Sequence, residues 1–108
     1  MLALEVNVKH PDVVYKQAIL ETGWFKSRSF LEHKNAFGMK RPRVRKTTAI
    51  GKALGHAKYD HWFQSVIDYK YYQEYYDSLG FEMNDYYSFL EKAHYSSSKN
   101  YIKNLKKL

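Results

Sequence analysis

Cysteine is absent from the 108 residues, so neither a disulfide nor a thiolate zinc site contributes to the fold or the chemistry. Long apolar runs are missing too. No stretch approaches the roughly 18 apolar residues that span a bilayer, and the N-terminal Met1-Leu2-Ala3-Leu4-Glu5-Val6 has neither a basic leader nor a long apolar segment. There is no glycine-rich phosphate loop, no Gly-x-Ser-x-Gly elbow and no cysteine nucleophile. The five histidines, His10, His33, His56, His61 and His94, make no i, i+4 pair with one another and no carboxylate triad of metal-binding type, so no metal and no cofactor is expected. Acidic residues are scarce beside basic ones, giving a net charge of +7. Such a balance favours a polyanionic partner, either nucleic acid or a bacterial wall with its stem-peptide carboxylates.

The chain does hold enough apolar material for one small domain, residues 1–108: 44% of it is hydrophobic and 18% aromatic, including 11 tyrosines. Pro11 and Asp12 suit the first turn of a helix, and Gly23 ends it. Val14, Gln17, Ala18 and Glu21 then share one face, with Val13 and Leu20 beside it. Glu21 lies at the end of a face that should be largely buried. A carboxylate losing water there has its pKa raised and can hold a proton for general acid catalysis, although a Glu in the last turn of a helix is more often simply solvated.

Beyond this helix, the spacing predicts a short helix capped by Ser27, a turn over residues 35–40, and a β-hairpin or irregular lobe at 41–59. Lys40 at the end of the turn and Arg41, Arg43, Arg45, Lys46 and Lys52 in the lobe make up about a third of the basic complement of 18. A long helix starts after Asp60, its expected cap, and another covers 82–94. A last helix uses Tyr101, Leu105 and Leu108. The alternation of Leu4, Val6 and Val8 suggests a strand or an extended arm, and Trp24 and Trp62 are expected in the core. The fold class is mainly α, with about five helices and one small β or irregular lobe.

Two motifs in order, Gln17-Ala18-Ile19-Leu20-Glu21-Thr22-Gly23-Trp24-Phe25 and Asn35-Ala36-Phe37-Gly38-Met39-Lys40, resemble the signature of the glucosaminidase family of peptidoglycan hydrolases (glycoside hydrolase family 73), within the lysozyme-like superfamily. Arg41-Pro42, Thr47-Thr48-Ala49, Tyr59, Trp62, Ser65-Val66, Asp68-Tyr69 and Asn100-Tyr101 extend the resemblance over nearly the whole chain. The resemblance implies an α+β lysozyme-like fold and cleavage of the β-1,4 bond after N-acetylglucosamine, with Glu21 as general acid and Tyr101 beside it, orienting substrate or water. Asn35, Phe37, Lys40, Arg41, Thr48 and Tyr59 are candidates for substrate contact: rings for sugar faces, Asn35 and Thr48 for acetamido groups, cations for stem-peptide carboxylates. Tyr101 reads equally well as a core residue of an amphipathic helix, and the cations as a solvated surface.

Many members of the resembled family carry a second Glu in the hairpin, whereas residues 38–59 here contain no Asp or Glu. Glu32, Asp60 and Asp68 lie outside that region, and each has a structural role open to it. A single essential carboxylate is therefore favoured. The expected partner is the peptidoglycan glycan strand, with no nucleic acid and no membrane, and the expected state is a monomer or a domain of a larger assembly. Action on the bacterial wall without a signal peptide suggests a phage lysis or tail protein, or a domain cut from a longer chain. A muramidase or lytic transglycosylase, a wall-binding domain without activity, and a nucleic-acid-binding module are the competing readings.

Overall fold

A computed structural model describes residues 7–53 and 55–108. The expected arm at Leu4 and Val6 lies outside them; Val8, the last apolar residue of that alternation, is buried. Among the described residues are five helices and one two-stranded antiparallel sheet, matching the mainly helical fold class with its small β part. In chain order they are α1 (Pro11–Thr22), α2 (Arg28–His33), β1 (Gly51–Ala53), β2 (His56–Lys58), α3 (Trp62–Ser78), α4 (Tyr86–Lys92) and α5 (Tyr101–Lys106).

Helix α1 begins at Pro11 and stops at Gly23, whose left-handed φ of 56° lets its N–H close back onto the Ile19 carbonyl. Trp24 and Phe25 continue in the same left-handed region, at φ 63° and 64°. A side chain there is strained by about 1–2 kcal/mol. Thr22 holds this turn: its Oγ1 accepts from the Phe25 N–H at 2.8 Å, and its carbonyl accepts from Lys26 and Ser27. Ser27 caps α2 by accepting from the Phe30 N–H, as its residue type and place suggest.

The core gathers Val14 and Ala18 of α1, Phe37 of the following turn, Val66 and Tyr69 of α3, Phe89 and Leu90 of α4, and Leu105 of α5. Helix α5 lies against both α1 and α4, which brings the C-terminal helix onto the first one. The hairpin pairs Gly51 with Lys58, Lys52 with Ala57 and Ala53 with His56. It is tied inward by Ala57 N–H to the Met39 carbonyl (2.9 Å) and Tyr59 N–H to the His33 carbonyl (3.0 Å).

Three expectations change. The helix expected over 82–94 is confined to Tyr86–Lys92: Asp85 caps it by accepting from Ser88 N–H, and Met83 tucks into the core from a non-helical lead-in. Helix α3 is capped by His61, whose Nδ1 accepts from Phe63 N–H, not by Asp60. The tryptophans are not core residues; Trp24 is 63% exposed and Trp62 39%, and the interior is filled instead by tyrosines and phenylalanines.

Candidate active site

Glu21 occupies the last turn of α1, where the chain reverses into the left-handed turn. Its neighbours on the face, Val14, Gln17 and Ala18, are buried as their spacing requires, but Glu21 itself is exposed at the surface, contrary to the expectation of a largely buried position. The cause is its place at the helix end, where the residue reaches the surface while its Oε2 packs against the backbone at Gly38. Oε2 lies only 2.8 Å from where a Cβ at residue 38 would stand, so Gly38 is needed both for its φ of +64° and for this close approach. Partial desolvation raises the Glu21 pKa above its ordinary value of 4.5, and the Tyr101 hydroxyl and the charge of His56 pull it back in part.

Four segments therefore meet at one carboxyl: α1, the turn at Gly38, β2 through His56, and α5 through Tyr101. Tyr101 is buried, with its own pKa pushed up chiefly by burial. Tyr95 adds a fifth contribution. Its hydroxyl donates to the Phe37 carbonyl at 3.1 Å, and it is electrostatically coupled to Glu21.

The other candidates divide into walls and rim. Asn35, Phe37 and Tyr59 are 4%, 1% and 2% exposed, so they are interior residues and leave no surface for a sugar. The Asn35 amide is fully committed: Nδ2 donates to the carbonyls of Met39 (2.9 Å) and Ala57 (3.0 Å), and Oδ1 accepts from Phe37 N–H (3.2 Å). Tyr59 donates to Asp68 Oδ2 at 2.5 Å, and Thr48 Oγ1 to the Gln64 carbonyl at 2.5 Å. Lys40 and Arg41 are exposed.

The spare carboxylates are accounted for. Asp68 is fully buried and held by Arg45 at 2.6 Å as well as by Tyr59; Glu32 pairs with Arg28 at 2.7 Å on the outer face of α2; Asp60 is exposed ahead of α3. Among the described residues no His, Cys, Asp and Glu group is arranged to hold a metal ion. Sequence reasoning passed over His56 and Tyr95. A histidine in a hairpin and one tyrosine among 11 carry no local signal; only the antiparallel register and the packing of the 93–100 segment bring them to Glu21.

A small, mainly helical domain thus carries a partly desolvated carboxyl beside a tyrosine hydroxyl at the end of its first helix. The chain belongs to the glucosaminidase family (glycoside hydrolase family 73): the family model described as mannosyl-glycoprotein endo-beta-N-acetylglucosaminidase matches residues 2–108. Comparison with curated proteins and with solved structures gave no match. Membership supports a peptidoglycan-hydrolase function and action outside the cytoplasmic membrane, in the wall or periplasm. Among the described residues no helix is long and apolar enough to cross a membrane.

Proposed function

We propose that this domain is an endo-β-N-acetylglucosaminidase that cleaves the β-1,4 bond after N-acetylglucosamine in peptidoglycan, with Glu21 as the proton donor. The observation that carries the reading is the place of that carboxyl: an exposed residue at the end of α1 whose Oε2 packs against Gly38 and whose pKa is raised by partial desolvation. Departure of the leaving sugar needs a proton on the glycosidic oxygen, and a carboxyl that keeps its proton above the usual range supplies it. Tyr101 then stabilises the carboxylate left behind through its hydroxyl.

Most glycosidases answer the oxocarbenium-like state with a second carboxylate. Asp68 is sealed in its ion pair with Arg45, Glu32 is paired with Arg28, and Asp60 is exposed ahead of α3, so that role is assigned to none of them. The substrate's own N-acetyl group is the chemically sufficient alternative. His56, whose charge acts on Glu21 from β2, is assigned the orienting of water or the acetamido group. Lys40 and Arg41 form an exposed cationic rim suited to stem-peptide carboxylates.

The test is lysis of purified sacculi by the wild type and by Glu21→Gln. Loss of a general acid costs about 10²–10⁴-fold in rate; equal lysis by both proteins would remove Glu21 from its role. Reducing-end analysis of the muropeptides fixes the bond. Products ending in N-acetylglucosamine are expected, and products ending in N-acetylmuramic acid would make the domain a muramidase.

A further inference from the structure

A continuous line of buried polar groups runs from the backbone at Lys9 to the Tyr101 hydroxyl, whose interaction lowers the Glu21 pKa, and every proton along that line has one possible place. The Lys9 N–H donates to Gln73 Oε1 at 2.9 Å, while the Lys9 carbonyl accepts from Gln73 Nε2 at 2.8 Å. Backbone groups cannot exchange these roles, so the Gln73 amide has a single orientation. Its remaining Nε2 hydrogen donates to the Tyr86 hydroxyl oxygen at 2.9 Å. Tyr86, receiving there, directs its own hydrogen to the Tyr69 oxygen, 2.6 Å away. Tyr69 in turn donates to Gln17 Oε1. That sets the Gln17 amide, whose Nε2 donates to the Tyr101 oxygen at 3.1 Å. Turning the Gln17 amide over would send the Tyr69 hydrogen back toward Tyr86 and leave the Tyr86 hydrogen facing only the donor Nε2 of Gln73.

We propose that Gln73, Tyr86, Tyr69 and Gln17 are positioning residues that polarise Tyr101, obliging its hydroxyl hydrogen to point at Glu21. The proposal rests on the reading of Glu21 as the acid and assigns the residues that tune it. Gln17, Gln73, Tyr69 and Tyr86 are all buried, between 0% and 2% exposed, so water does not compete for these hydrogens. Burial also pushes the hydroxyls of Tyr69 and Tyr86 up in pKa, the latter to about 12, which keeps them neutral and the chain intact across the working pH range. The groups facing Glu21 from the surrounding elements are Tyr101 of α5, His56 of β2, Tyr95 before α5 and the backbone at Gly38. Of these, the donor chain acts through Tyr101 alone, since Tyr95 bonds to the Phe37 carbonyl.

Breaking the chain at a distance should release the Tyr101 hydrogen to other acceptors, so the ionised form of Glu21 loses a donor and the carboxyl titrates higher. The experiment follows the ¹³C-carboxyl signal of Glu21, assigned by its absence in Glu21→Gln, through a pH titration of wild type, Tyr69→Phe, Tyr86→Phe and Tyr101→Phe. Each Tyr→Phe change deletes one oxygen and keeps the ring. In Tyr69→Phe and Tyr86→Phe the midpoint should rise by about 0.5–1 unit. Added to Tyr101→Phe, either change should do nothing further. Tyr72→Phe is the control: its buried hydroxyl lies in the same aromatic core and bonds to no other group, and its removal should leave the midpoint in place.

On sacculi, the basic limb of the kcat/KM profile should move with the midpoint, while KM stays. An unmoved Glu21 midpoint in both Tyr69→Phe and Tyr86→Phe, in proteins with wild-type near-ultraviolet spectra, overturns the proposal. So does a shift that adds to that of Tyr101→Phe. Because the titration needs no turnover, a wild type that cleaves no sacculi would defeat the enzymatic reading while leaving the relay separately measured.

Discussion

At the scale of single residues, the site turns on the contact between a carboxylate and a glycine. Gly38→Ala has two separable effects. A left-handed φ of +64° strains an alanine by about 1–2 kcal/mol. The new Cβ also meets Glu21 Oε2 at 2.8 Å, and the flexible end of the glutamate is what yields. The variant should therefore unfold at lower urea, by that strain, and lose activity well beyond it, because the displaced group is the proposed acid. Activity that falls only in step with stability would show that the contact is incidental. Glu21 also has a signed effect on stability. Its folded pKa is raised, so its ionised form is less favourable in the fold than in the unfolded chain. Relative to a neutral residue, the penalty is absent below the ordinary value of 4.5 and is complete once pH exceeds the folded pKa. Glu21→Gln is then expected to melt higher than wild type at pH 7 and to converge on it near pH 4, as thermal melts across that range would show.

Among the elements, the irregular lobe depends on one buried ion pair. Arg45 reaches α3 and meets Asp68 at 2.6 Å, with side-chain exposures of 9% and 0%, while Tyr59 closes the other carboxylate oxygen. This clamp holds the hairpin that carries His56. Removing one partner strands a buried charge, so Asp68→Leu should cost about 3–5 kcal/mol in urea unfolding, and the double change with Arg45→Met should recover much of it. A double variant no more stable than Asp68→Leu would show that the pair is more than a charge balance. The limits of the helices and the lobe show what sequence reveals. Helix α1 was legible to the residue because Pro11 and Gly23 act through their own backbones, and Asp68 was legible as a structural partner. The 82–94 helix was overextended because Met83 is apolar at helical spacing yet enters the core from outside a helix. His56 and the Gln17–Tyr69–Tyr86–Gln73 chain could not be read at all, since partners 13 to 84 residues apart meet only after the helices pack.

Over the whole molecule, the charge of +7 is distributed so that the chain following Gly38 is cationic and exposed at Lys40, Arg41, Arg43 and Lys46. In the proposed reading Glu21 acts on a bond within contact distance, whereas these cations act on a polymer that carries its own carboxylates. Salt separates the two. Raising ionic strength from 0.1 to 1 M shortens the screening length from about 10 to 3 Å, which weakens exposed pairings and leaves the partly desolvated carboxyl little affected. Turbidity assays on sacculi should accordingly show KM rising several-fold with salt while kcat holds. In Lys40→Glu/Arg41→Glu, KM should be high already at low salt and respond weakly to more. A fall in kcat with unchanged KM would place the salt effect on Glu21 and its neighbours, and would detach the lobe from substrate binding. Steep salt dependence of oligonucleotide binding, with sacculi untouched, would instead assign the same cations to phosphates and end the wall-hydrolase account.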